Sequence, residues 1–295
     1  MTRHKDTAWC GAILYALFSA AFWPKAAATN CEIIMNLPIV FAILFYFIYY
    51  KERKKHYCFL SGIFIALAGL FKYQALLIVP AFIMVEVFCL IKNKSFWKFL
   101  KSGLLLSSGF VIVYILLISY YHFTNNLHHA FFWAWDYNFI FLKGFTWSYF
   151  YTAFSRAIPK FILLWIVLWI SIIIYITKIF KNRKLDCFDV FCIPLFICSI
   201  CAVMIGGKFF GHYFIQLLLP SVFLAAPEVF NIVKDFSLNN ITNSINFKKI
   251  IIIMVIISVP LFSLCRSWRE RIRAYAEDET IIKISESIEQ NSNME

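Results

Sequence analysis

The sequence predicts an all-α fold, a polytopic transmembrane bundle of about nine spans, and three observations predict it. The chain of 295 residues is 62 % hydrophobic and only 15 % charged, with a mean hydropathy of +0.75; a soluble domain is roughly 45–50 % apolar. The apolar residues form continuous runs, as in Ile250–Ile253 and the residues after it, and not the ten-residue alternation of an outer-membrane barrel strand. Lysines and arginines fall in short clusters between those runs. This composition excludes a soluble enzyme, a disordered chain, a collagen-like fibre and a soluble disulfide scaffold. In a soluble chain the net charge of +12 would suggest nucleic acid. Here the basic clusters orient spans, and no nucleic-acid partner is expected.

The spans are expected over 8–22, 33–50, 57–71, 75–91, 103–120, 161–179, 190–205, 214–232 and 249–264. Trp9 and Trp23 bracket the first like interfacial anchors. Pro24 and Lys25 separate it from Ala26–Ala28, so it reads as a span and not as a cleaved leader. Alternate connections carry 17 basic residues, in clusters such as Lys51–Lys55 and Lys92–Lys101, and the opposite connections carry 6. The positive-inside rule then puts the N-terminus in the cytoplasm and the C-terminal tail outside. The bundle is expected over 1–264 and the outer tail over 265–295.

Between the fifth and sixth spans lies an outer stretch, 121–160. Of residues 120–154, 16 of 35 are aromatic. So apolar a loop belongs in the membrane interface, as a re-entrant or amphipathic segment. The nine cysteines mostly sit in or beside apolar runs, where packing is the expected role. Cys198 and Cys201 have C-x-x-C spacing without further ligands, and Cys31 and Cys265 could both face outside and pair.

A charged group near lipid is costly, so each one is a functional candidate, with a snorkelling or interfacial side chain as the alternative. Asn30 and Glu32 stand at the outer mouth of the second span. The Glu32 carboxylate could accept a proton, ligate a divalent metal or pair with a lysine such as Lys25; it also suits a helix N-terminus without any further role. Lys72 and Tyr73 sit on a very short outer turn, where Lys72 could bind a phosphate or simply end a span. Lys208, His212 and Gln216 are spaced i, i+4, i+8, and in a helix would share one face. Beside them Tyr213 adds a hydroxyl, and Gly206, Gly207 and Gly211 admit close backbone approach. A cation with a histidine and a tyrosine suits an anionic headgroup such as a lipid phosphate. Asp136, Tyr137 and Asn138 carry polar groups within the aromatic stretch, a surface suited to sugars or headgroups, or simply an interfacial belt. Adjacent His128 and His129 would point about 100° apart on a helix, a poor ligand pair. Glu86 reads as snorkelling. No Walker loop, no G-x-G-x-x-G opening a soluble domain and no H-E-x-x-H occurs, so a nucleotide or nucleotide sugar is not the expected substrate.

Three stretches, AAATNCEI (26–33), GIFIALAGLFKYQALLIVPA (62–81) and GGKFFGHYFIQLLLP (206–220), together with WDYN at 135–138, resemble the GT-C class of integral-membrane glycosyltransferases. The resemblance is to the bacterial branch related to protein O-mannosyltransferases and the lipid A aminoarabinose transferase, and it runs over most of the chain. It implies a multi-pass enzyme of the bacterial inner membrane. Such an enzyme would take a polyprenyl-phosphate-linked sugar, invert its anomeric carbon and pass it to a lipid, glycan or protein of the cell envelope on the outer face. It further implies that Glu32 lies in the catalytic cavity, near the acceptor or a divalent metal, and that Lys72, Lys208, His212 and Tyr213 meet the donor phosphate. The family's acidic loop after the first span has no counterpart beyond Glu32 in 24–32, and the tail is similar to the start of an outer soluble domain. An internal fragment or a degenerate paralogue is therefore one expectation. Two rival readings stand beside the enzyme: a non-catalytic partner that binds lipid-linked glycans, and a transporter or flippase for them.

Overall fold

The computed structural model describes residues 5–20, 31–142, 146–182, 185–205, 207, 209–234 and several positions between 254 and 272. Among them there is no strand. The helices are α1 (Lys5–Ala20), α2 (Cys31–Glu52), α3 (Lys55–Phe71), α4 (Val79–Asn93), α5 (Phe96–Phe123), the short α6 (Leu127–Phe131) and α7 (Tyr137–Leu142), α8 (Trp147–Leu164), α9 (Ile166–Asn182), α10 (Cys187–Ile205) and α11 (Ile215–Lys234). Two 3₁₀ turns, Tyr73–Ile78 and Gly211–Phe214, lead into α4 and α11. Five of these segments are long and apolar enough to cross a membrane, or six when α8 and α9 count as one bent span. The chain thus has the build of a multi-pass membrane protein. The expected ninth span at 249–264 lies largely outside the described residues.

Short connections force neighbouring helices to run antiparallel. Arg53 (φ 60°) and Lys94 (φ 50°) adopt the left-handed conformation that closes a helix, and their amides bond to Tyr49 (2.7 Å) and Leu90 (2.8 Å). α2 packs along α3, α3 along α5, α4 along α10, and α11 fills the middle against α1, α9 and α10. Up-and-down connectivity gathers the described basic clusters at one end of the bundle. The starts of α2 and α11, the end of α3 and the turn before α4 lie at the other end.

α3 and α5 cross at backbone contact. A Cβ on Gly62 would stand 2.0 Å from the Leu106 carbonyl oxygen, and one on Gly109 would stand 2.0 Å from that of Phe59. Small residues let membrane helices approach this closely. Little else of α5 is covered: Leu104, Ile115 and Leu116 on its outer surface are more than half exposed, as a lipid-facing helix requires.

Aromatic rings fill the centre. Trp165 is fully buried at the junction of α8 and α9, edge-on to Phe18 at 6.5 Å and tilted against Phe161 at 4.4 Å. The chain bends there by 77°. The sequence predicts a span opening at 161; the bend delays it to Ile166. α8 carries a one-sided apolar face.

Several buried or half-buried polar groups are paired across helices. Tyr46 and Ser102 donate to the two oxygens of Glu86 (2.7 and 2.6 Å), which ties the half-buried Glu86 of α4 to α2 and α5. Lys178 pairs with buried Glu228. Tyr175 donates to Asp189 (2.6 Å), which together with Asp186 caps the start of α10. None of the nine cysteines is joined in a disulfide, and Cys31 and Cys265 are both exposed.

Candidate functional site

At the end of the bundle away from the basic clusters, three helix termini bring charged groups together. Glu32 is in the first turn of α2, where an acid complements the helix dipole, and it is buried. Lys72 is the extended residue (φ −160°, ψ 121°) that ends α3 and opens the turn before α4. That break aims its side chain back across the bundle, and its ammonium bonds to Glu32 Oε1. His212, on the turn before α11, places Nε2 3.9 Å from the same oxygen. Tyr213 offers its ring face to the Lys72 ammonium, 3.9 Å from the centroid. Tyr73 and Tyr149 stand close enough to act on Tyr213 electrostatically.

The segment that carries His212 is held under strain. The spacing predicts a helical face through Lys208, His212 and Gln216. Among the described residues the helix instead stops at Ile205, and Gly207 (φ 60°) and Phe209 (φ 46°) turn left-handed before the 3₁₀ turn. A left-handed conformation costs an ordinary residue about 1–2 kcal/mol. The Phe209 side chain is buried against Phe150 (5.1 Å) and Phe154 (5.4 Å) of α8, which offsets that cost. Strain of this kind gathers at functional sites. The break leaves His212 part-exposed, while Gln216, the second residue of α11, is buried.

Beneath the charged group lies a narrow pocket lined by Asn36, Gln74, Ser199, Gln216 and apolar side chains. Asn36 is one helical turn, about 6 Å, below Glu32 on α2. It donates to Tyr15 (3.0 Å) and to the Ile215 carbonyl (3.2 Å).

Of the residues singled out from sequence, Glu32, Lys72, His212 and Tyr213 form one cluster, with Tyr73 at its rim and Gln216 below. Asn30 and Lys208 lie outside the described residues. Asp136 and Tyr137 do not join the cluster: they belong to the exposed stretch α6–α7, which packs on itself and on the end of α5. The backbone of Asn138 lies in the same stretch. Asn36 and Gln74 were not expected. Their signal was present, since Asn36 follows Glu32 by four residues and Gln74 follows Lys72 by two, inside otherwise apolar runs.

A divalent cation does not suit this donor set. Lys72 already holds the Glu32 oxygen that would face the metal, and a second cation there would meet an ammonium. Among the described residues no three His, Cys, Asp or Glu side chains come together as ligands. The cluster can instead take a proton on Glu32 or His212 and oppose an anion with Lys72.

No family model, curated protein or solved structure matches the chain.

Proposed function

We propose that the protein is a membrane glycosyltransferase that takes its sugar from a polyprenyl phosphate, with Glu32, Lys72, His212 and Tyr213 as the reacting centre. One observation carries the reading: a buried carboxylate, an ammonium and an imidazole from three separate helix ends converge at the end of the bundle opposite the basic loops. Side chains are rarely gathered this way for stability alone, because burying charge costs more than apolar packing.

Transfer forms a bond between an acceptor hydroxyl oxygen and the anomeric carbon and breaks the bond from that carbon to the donor phosphate oxygen. Glu32 takes the proton released by the acceptor. Lys72 and His212 face the charge that grows on the departing phosphate. The exposed aromatic stretch, with Trp133 and Trp135 more than half exposed, holds the chain in the interface where a polyprenyl lipid arrives.

Membranes containing the protein should release free polyprenyl phosphate from a polyprenyl-phosphate sugar when acceptor is present. His212→Ala should lower that release by roughly 10²-fold while leaving the amount of inserted protein unchanged. Equal release by both proteins would remove His212 from the mechanism.

The same reading has nine spans, with the N-terminus and the basic loops in the cytoplasm and the cluster outside. A single cysteine placed at Lys94 in a cysteine-free background should react with an impermeant maleimide only after cells are opened. One placed at Asn125 should react in intact cells. The reverse pattern would invert the protein.

A further inference from the structure

Three residues that line the pocket below the charged cluster carry a buried side-chain atom with no hydrogen-bond partner among the described residues: Asn36 Oδ1, Gln74 Oε1 and Gln216 Nε2. All three residues are more than nine-tenths buried. A buried amide left in this state costs free energy unless something else meets it. The orientation of Asn36 is chemically fixed: its nitrogen donates to the Ile215 carbonyl, which can only accept, so its oxygen is the end left over. The pocket gives the centre of a water about 20 Å³, and one water needs roughly 10–15 Å³. No larger ligand has room there.

We infer that the pocket binds one water molecule, which joins Asn36, Gln74 and Gln216 and sets the spacing of Glu32, Lys72 and His212 above it. The water donates its two protons to the oxygens of Asn36 and Gln74 and accepts the N–H of Gln216. Those are the three hydrogen bonds that a buried water typically makes. The three amides come from three separate elements, and each lies close in sequence to one member of the cluster. Asn36 follows Glu32 by four residues on α2, Gln74 follows Lys72 by two in the turn before α4, and Gln216 follows His212 by four at the start of α11. One water therefore ties together the three segments that carry the carboxylate, the ammonium and the imidazole. The amides act through those groups and are positioning residues. Position matters at this scale, because a misplacement of about 1 Å can slow a reaction about 10²-fold. The water itself stands apart from the glycosyltransferase reading; its effect on transfer rests on that reading.

The test is a double-mutant cycle on the full-length protein, read by melting and by sugar transfer. Gln74→Met and Gln216→Met keep the side-chain length and remove the polar atoms. Either change should release the shared water, so the second should add little to the first. Each single variant should melt roughly 2–4 °C lower and transfer sugar at least about tenfold more slowly. The double variant should match the singles in both. Losses that add in the double variant mean that the amides act separately, and they overturn the shared water. So does a crystal structure of the unaltered protein, at a resolution that shows ordered water, with no density about 2.7–3.2 Å from the three atoms. Single variants that melt lower and transfer at the full rate overturn the positioning role, since the water then supports only the fold. If the unaltered protein transfers no sugar, the glycosyltransferase reading falls, and the density and the melting cycle still decide the water.

Discussion

Replacing Glu32 by Gln should cut sugar transfer by roughly 10²–10⁴-fold, the range that a positioned proton acceptor supplies. It should also destabilise the protein, because Lys72 keeps its charge and loses its counter-ion beneath the surface of the bundle. Breaking one side of a buried pair costs about 3–5 kcal/mol. The two effects separate in the double variant Glu32→Gln/Lys72→Met. Removing both charges of a buried pair is often close to neutral, so the melting temperature in detergent should recover while transfer stays lost. Recovery of transfer along with stability would make the pair a packing device and would remove both residues from the chemistry.

The second large effect is expected far from the site. Gly62→Val and Gly109→Val should each prevent normal assembly of the bundle, since the first new carbon would stand 2.0 Å from a backbone carbonyl oxygen of the facing helix. Side chains can rotate away from a clash, but two helix backbones can only separate. Overpacking in ordinary cores costs roughly 1–3 kcal/mol, and a backbone-to-backbone clash belongs at or above the top of that range. Gly103 on the same helix is the control, with nothing within 4 Å of its would-be Cβ. Gly103→Val should melt near the unaltered protein, and the other two should show a sharply lowered melting temperature or arrive as protease-sensitive material. Equal melting of all three would mean that α3 and α5 do not cross at these glycines.

Much of the fold was legible in the sequence because lipid imposes one rule: long apolar runs become helices that satisfy their own backbone. The runs at 33–50, 190–205 and 214–232 correspond to α2, α10 and α11 within three residues, and 103–120 falls inside α5, which begins seven residues earlier. The bend at Trp165 was not legible, because it depends on which rings pack around that tryptophan and not on local composition. The same holds for the Gly62–Gly109 crossing, which needs the register of two helices.

The site was legible in part. Glu32, Lys72 and His212 stood out because charge beside lipid demands a reason, and all three converge. The helical stripe through Lys208, His212 and Gln216 was expected from spacing alone. Spacing does not register the left-handed turn at Phe209, which long-range contacts with α8 sustain. Asn36 and Gln74 drew no attention because a neutral amide in a long apolar run carries little weight by itself. Their importance appears only when α2, α11 and the turn before α4 bring them to one pocket. Asp136 was weighted by its aromatic neighbours, yet the stretch that holds it packs away from the charged cluster.

The central claim is that the end of the bundle holding Glu32, Lys72 and His212 receives a lipid phosphate. Titrating sugar-free polyprenyl phosphate into the full-length protein in neutral-lipid nanodiscs tests it most directly, with Lys72→Met compared against Lys92→Met from the basic end. Saturable binding is expected, weakened at least tenfold by Lys72→Met and unchanged by Lys92→Met. Binding that survives Lys72→Met and is lost in Lys92→Met would place the anion at the opposite face and contradict it.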